Sequence, residues 1–165
     1  MNIFWFWTLA GMLTVYAVLD DYDLGVGALH LWLARDDHER RIHLNAIGPV
    51  WDGNEVWLLA AGGMMVVAFP RLYAAAFSGF YLALIVVLWL LVLRGVAIEF
   101  RGQVRHAMWS AFWDAVFGMA SLLLALLLGV ALGNVLRGLP LDASGYFLGS
   151  FSLRLNPYAL LIGVL

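Results

Sequence analysis

Long uncharged apolar runs, separated by short clusters of charge, divide this chain. Residues 2–19 carry no charge, and after Asp20-Asp21-Tyr22-Asp23 the apolar positions resume as far as Ala34. A spanning helix needs roughly 20 residues to cross about 30 Å of hydrocarbon. The first span is therefore predicted over 2–19, its helix continuing to 34. Val56 to Phe69 is also uncharged but has only 14 residues. Counting from Trp51 makes the second span, 51–69, long enough and places Asp52 and Glu55 inside it or at its edge. Pro49 stands just before it, where proline favours a helix start, and Pro70 ends it. Leu72–Leu93 and Ala115–Leu136 are two uncharged runs of 22 residues each and read as spans three and four. Asn156-Pro157 opens a further apolar run that stops at Leu165, read as the start of a fifth span in a longer protein. The expected fold is all-α, one polytopic transmembrane helix bundle over residues 1–165, with four full spans and the start of a fifth.

Composition supports that class. The chain is 64% hydrophobic and 12% charged, whereas soluble domains run near 45–50% and about 25%. There is no cysteine, which excludes disulfides and thiolate metal sites. The net charge of −2 says little about partners, and with no basic patch a nucleic-acid partner is not expected. All nine basic residues are arginine. Six of them, Arg35, Arg40, Arg41, Arg94, Arg101 and Arg105, fall in two segments on one side, against Arg71, Arg137 and Arg154 on the other. The positive-inside rule makes the first side cytoplasmic and puts the N-terminus outside. The segments 35–41 and 94–105 are then cytoplasmic loops of a multi-pass protein.

This topology gathers acids at the cytoplasmic side. Asp20 and Asp23 are three apart at the inner end of span one, so they share a helix face. Asp52 and Glu55 repeat that spacing on span two, Glu99 follows span three, and Asp114 precedes span four. Ionisable groups at such depth are costly and are the usual material of proton relays. The plainer reading is solvated caps, with Asp52 and Glu55 favoured at the positive end of a helix dipole. Asp21, Asp36, Asp37, Glu39 and Asp142 fit that reading. His30, His38, His43 and His106 lie at span ends or in inner loops, so haem ligation by this chain is not expected. No zinc spacing, nucleophile triad or phosphate loop is present. A proton-coupled transporter half and a structural scaffold remain as alternatives; the first predicts helix-breaking residues near span centres.

Several segments together resemble a known family. They are Leu19-Asp20-Asp21-Tyr22-Asp23-Leu24-Gly25-Val26-Gly27, Asp37-His38-Glu39-Arg40-Arg41, Gly48-Pro49-Val50-Trp51-Asp52-Gly53-Asn54-Glu55-Val56-Trp57 and Tyr73-Ala74-Ala75-Ala76-Phe77-Ser78-Gly79-Phe80-Tyr81. The chain resembles the first half of subunit 2 of the cytochrome bd-type quinol oxidases of bacteria and archaea. That resemblance implies an eight-span subunit in the bacterial or archaeal cytoplasmic membrane, beside a haem-carrying subunit 1, with room for a small single-span subunit. It implies quinol oxidation in the respiratory chain, reduction of dioxygen to water with protons from the cytoplasm, and b- and d-type haems held by the partner. Membrane lipid and quinone are further implied partners, and no cofactor is assigned to this chain. Asp20, Asp23 and Asp52 fall where the family carries acids of a proton path, and Glu99 falls where some members carry Asp. On that basis Asp52 is the expected central proton-handling group, Asp20 and Asp23 its neighbours and Glu99 the uptake group. Glu55 is expected to cap the helix. Trp51, Trp57, Asn54 and Glu55 are packing or subunit-interface candidates.

Overall fold

A computed structural model describes residues 2–140, 142 and 155–165. Among them it forms seven helices and no strand: α1 (Asn2–Leu33), α2 (Asp37–Ile47), α3 (Trp51–Ala68), α4 (Pro70–Gly79), α5 (Tyr81–Phe100), α6 (Ala107–Arg137) and α7 (Pro157–Val164). Arg154, counted above on the outer side, lies outside the described residues. Among the described residues three helices are long and apolar enough to cross a membrane: Ile3–Leu33, Tyr81–Phe100 and Ala107–Arg137. The 18-residue α3 has Asp52, Asn54 and Glu55 in its first two turns.

The first helix runs through its acids without a break. Its 32 residues at 1.5 Å each give about 48 Å, more than the hydrocarbon needs. Asp36 then caps α2, accepting the Glu39 N–H at 2.8 Å, while Glu39 Oε2 accepts the Arg35 N–H at 2.6 Å. Asn156 caps α7 in the same way, accepting the Ala159 N–H at 3.0 Å.

Three helix boundaries differ from the expected spans. The run Leu72–Leu93 is not one helix: α4 ends at Gly79, Phe80 leaves the helical region (φ −103°, ψ 17°), and α5 starts at Tyr81. The break follows Ser78-Gly79 inside a run that stays uncharged on both sides, so a search for uncharged runs passes over it. The second difference is that α5 continues to Phe100, so Arg94 and Glu99 belong to the helix and not to a loop. Likewise α6 starts at Ala107, which places Asp114 two turns inside it.

Packing centres on α1 and α6. The first helix lies against α2, α3 and α6, and α6 lies against α5 and α7. At the α1–α6 crossing, a Cβ on Gly27 would stand 2.0 Å from Ser121 Oγ, so the backbones meet only because that side chain is missing. Two small apolar clusters fill the centre. Leu24, Leu90, Ala120 and Leu124 form one, and Ile47, Ala97 and Phe117 form the other. Many large apolar side chains face outward, among them Trp32, Leu59, Val67 and Trp89. That distribution suits lipid or a neighbouring subunit.

Candidate functional site: two buried charge clusters

The stripe Asp20, Asp23, Gly27 and His30 follows helical spacing along α1, and all four are buried. Arg94 on α5 and Arg101, the residue that follows its last turn, are seven residues apart and buried in the same way. These two faces meet, and they build two separate ionic clusters.

The first cluster centres on Arg94, which is fully buried. Its Nη1 donates to Asp20 Oδ1 at 2.9 Å and to Glu55 Oε1 at 3.3 Å. Its Nη2 lies 3.7 Å from Asp23 Oδ2, an ion pair without a hydrogen bond. Asn54 Nδ2 donates to the same Asp23 oxygen at 2.8 Å. Three carboxylates thus share one guanidinium. Asp20 Oδ2, Asp23 Oδ1 and Arg94 Nε and Nη2 are buried without a hydrogen-bond partner. The structure therefore brings Asp20, Asp23, Asn54 and Glu55 together.

Asp52 and Glu99 stand outside that cluster. Asp52 is exposed, and its Oδ1 accepts the Gly53 N–H at 2.7 Å. It is close enough to act electrostatically on Glu55. Glu99 is exposed near the end of α5. Glu99 and Glu55 line one cavity of about 460 Å³ between α3 and α5, walled by Trp51, Leu58, Leu88 and Gly95. Trp51 presses its ring edge on Gly95, where a Cβ would stand 2.9 Å from the ring. Trp57 faces outward at 39% exposure. Asp21 is exposed on another face, beside Tyr22 and His43.

The second cluster centres on Asp114, 1% exposed. It accepts from Arg40 Nη1 at 3.0 Å, from Arg101 Nη2 at 3.1 Å and, by a closer bond, from Arg101 Nε. His30 Nε2 bonds the same carboxylate at 2.9 Å, as donor in the tautomer that carries its proton there. Arg101 also reaches Asp37 Oδ1 at 2.8 Å, and Arg41 Nε reaches Asp37 Oδ2 at 2.9 Å. Hydrogen bonds from Arg101, then Arg41, hold the Asp37 carboxyl below the usual carboxylate range. Burial works against the Arg101 charge, but its bonds to Asp114 and Asp37 outweigh that and push its pKa up. This cluster ties α1, α2, α6 and the end of α5 together with nearly balanced charge.

Sequence reasoning missed Arg94, Arg101, His30 and Arg40, and it read Asp114 as a span-end acid. A signal was present: buried stripes need partners, and the spacing of Asp20, Asp23 and His30 on one face matches the spacing of Arg94 and Arg101 on another.

The family model for cytochrome bd terminal oxidase subunit II matches residues 1–165. Cytochrome bd-I ubiquinol oxidase subunit 2 of Escherichia coli (strain K12) is 45% identical over 98% of this chain and 44% of its own length. A probable cytochrome oxidase subunit 2 of Haemophilus influenzae is 42% identical over 98% of this chain and 44% of its own length. Cytochrome bd ubiquinol oxidase subunit 2 of Bacillus subtilis is 41% identical over 97% of this chain and 47% of its own length. The chain spans less than half the length of these curated relatives. It belongs to the cytochrome bd terminal oxidase subunit II family.

Proposed function

We propose that this chain supplies the first four-helix half of the subunit that stands beside the haem-carrying subunit 1 of a bd-type quinol oxidase, and that its Arg94 cluster delivers protons for dioxygen reduction. One observation carries the second part. The cavity between α3 and α5 holds the exposed Glu99 and the half-buried Glu55, and Glu55 bonds the guanidinium that also bonds Asp20. In this reading the cavity leads a proton from Glu99 to Glu55, and the shared Arg94 holds Glu55 beside the buried Asp20. Fully ionised, the cluster would carry two excess negative charges in a desolvated place, where each uncompensated charge costs several kcal/mol. Resident protons remove that cost and are the cargo of a relay. Glu99 is the uptake group in this reading, Glu55 the link, and Asp20 and Asp23 the inner store. Asp52 adjusts Glu55 from the exposed side of α3.

The haems are assigned to subunit 1. His30 is fully buried, bonds Asp114, and packs its ring against Phe117 and His43, so no face of it is open to a macrocycle. The scaffold reading keeps a place for the second cluster alone, since nearly balanced charge has no reason to hold a mobile proton. Arginine counting puts the charged helix ends on the cytoplasmic side.

The test uses the full-length subunit assembled with its partner. Asp20→Asn and Glu55→Gln should each lower oxygen consumption with quinol by about tenfold while the haem spectrum remains, in line with a lost proton-transfer group. Wild-type turnover in both variants between about pH 6 and 8 would remove the cluster from proton delivery. Loss of the haem bands would make it an assembly element.

A further inference from the structure

The charges at the helix ends read as cytoplasmic are not all spent in the two clusters. Of the six arginines there, Arg94 and Arg101 are buried in ion pairs, and Arg40 and Arg41 pair with Asp114 and Asp37. The side chains of Arg35 and Arg105 bond to no group among the described residues. Both line one cavity of about 510 Å³, together with Arg40, Arg41 and His106. Arg35 follows α1 and Arg105 precedes α6, so two segments distant in sequence bring unpaired cations to one place. Arg40 Nε, which is buried, also lacks a hydrogen-bond partner. Acids line the cavity too, and each is already engaged. Asp114 and Asp37 are held by arginines, and Asp36 accepts the Glu39 N–H that it caps. The lining holds four arginines and three aspartates, and Arg101 and Glu39, which bond to it, add one charge of each sign. One positive charge is left over with His106 neutral.

We propose that this cavity binds a phosphate group, held by Arg35 and Arg105. Guanidinium forks match phosphate oxygens two at a time, and here no carboxylate competes for them. A phosphodiester carries a single negative charge, equal to the excess in the cavity. Ala107, Ser110 and Ala111, from the first turns of α6, also line it, and His106 gives that helix no side-chain cap. The positive end of α6 therefore adds to the attraction. The volume exceeds that of a phosphate alone and leaves space for the group esterified to it. On the orientation proposed above, the cavity lies at the headgroup layer of the inner leaflet, where basic pockets at helix ends meet lipid phosphates. The adjoining turns expose Trp32, Leu33, Met108 and Phe112, which suits contact with acyl chains. A free phosphate would offer the same chemistry from the aqueous side, and the two sources separate by experiment. The proposal is independent of proton delivery, because neither arginine belongs to the Arg94 cluster.

The experiment compares the wild-type full oxidase with the double variant Arg35→Gln/Arg105→Gln, each purified in detergent and stripped of lipid. Each is titrated with dihexanoyl phosphatidylglycerol and, separately, with inorganic phosphate, and the melting temperature and haem spectrum are recorded. A ligand that binds only the folded complex raises its melting temperature with concentration. The phosphatidylglycerol should stabilise the wild type, and the glutamine variant should need about tenfold more of it for the same shift. Arg35→Lys/Arg105→Lys, which keeps both charges, should recover most of the response. A shift with phosphatidylglycerol that inorganic phosphate does not reproduce identifies a lipid headgroup as the source. An equal shift with inorganic phosphate, lost in the glutamine variant, identifies free phosphate and still supports the site. Identical titrations of wild type and glutamine variant with both probes overturn the proposal. So does a glutamine variant that loses its haem bands, because the two arginines would then serve assembly.

Discussion

At Arg94 three carboxylates share one guanidinium; at Asp114 a single carboxylate takes bonds from His30, Arg40 and Arg101. Both clusters use the same two helix faces, and seven residues along α5, about 10 Å of helix rise, separate their arginines. Between them lies apolar packing of Ile47, Ala97 and Phe117. The difference in charge count is what separates the two roles proposed for them. A site with surplus acid can gain and lose protons. A site in which every oxygen of the acid is already bonded holds helices in place.

The comparison breaks most visibly at Arg94. Arg94→Leu leaves Asp20 and Asp23 buried without a counter-charge, and removing one partner of a buried pair costs about 3–5 kcal/mol. The expected outcome is little assembled oxidase, read from haem bands in the membrane. Wild-type assembly would mean that the acids are not held ionically.

Next in size is Asp114→Asn. It leaves Arg101 with Asp37 as its remaining carboxylate partner and weakens four bonds, at about 2–3 kcal/mol. The melting temperature of the purified complex should fall while turnover per haem stays level. A fall in turnover with unchanged melting would erase the distinction between the clusters.

Glu55→Gln should do the reverse. Turnover drops about tenfold, or about 1.4 kcal/mol of barrier, and melting is unchanged.

The smallest effect belongs to Asp37, whose side chain is 58% exposed. Its carboxyl is held below the usual value by Arg101 and Arg41. Its pairing therefore contributes fully above the ordinary carboxylate pKa of about 3.9 and fades as pH falls through the lower folded value. Asp37→Asn should cost about 0.5 kcal/mol near neutrality, as exposed pairs do. The gap in melting temperature from wild type should close at acid pH and shrink in high salt.

Much of this was legible in the chain. The helical class, the long α1 and the shared face of Asp20 and Asp23 all follow from apolar run lengths and helical spacing. The places of Asp52 and Glu55 were harder. Spacing alone makes them equivalent, but the approach of α5 encloses Glu55 and leaves Asp52 outside. Arg94 was hidden because an arginine after an apolar run reads as a loop charge. Its partner Asp20 is 74 residues away, and no local pattern reports such a pairing. The break at Phe80 left only a faint trace, Ser78-Gly79 before it, with neither proline nor charge to mark it.

The order in which the Arg94 cluster is completed has a consequence for biogenesis. Synthesis delivers α1 and α3 to the membrane before α5, so Asp20, Asp23 and Glu55 arrive first and wait for their cation. An arginine near a helix centre costs about 2.5–3.5 kcal/mol to insert alone, and waiting carboxylates lower that cost for α5. A nascent chain halted before Arg94 would expose an acidic seam in lipid, giving membrane quality control a feature by which to recognise it as unfinished.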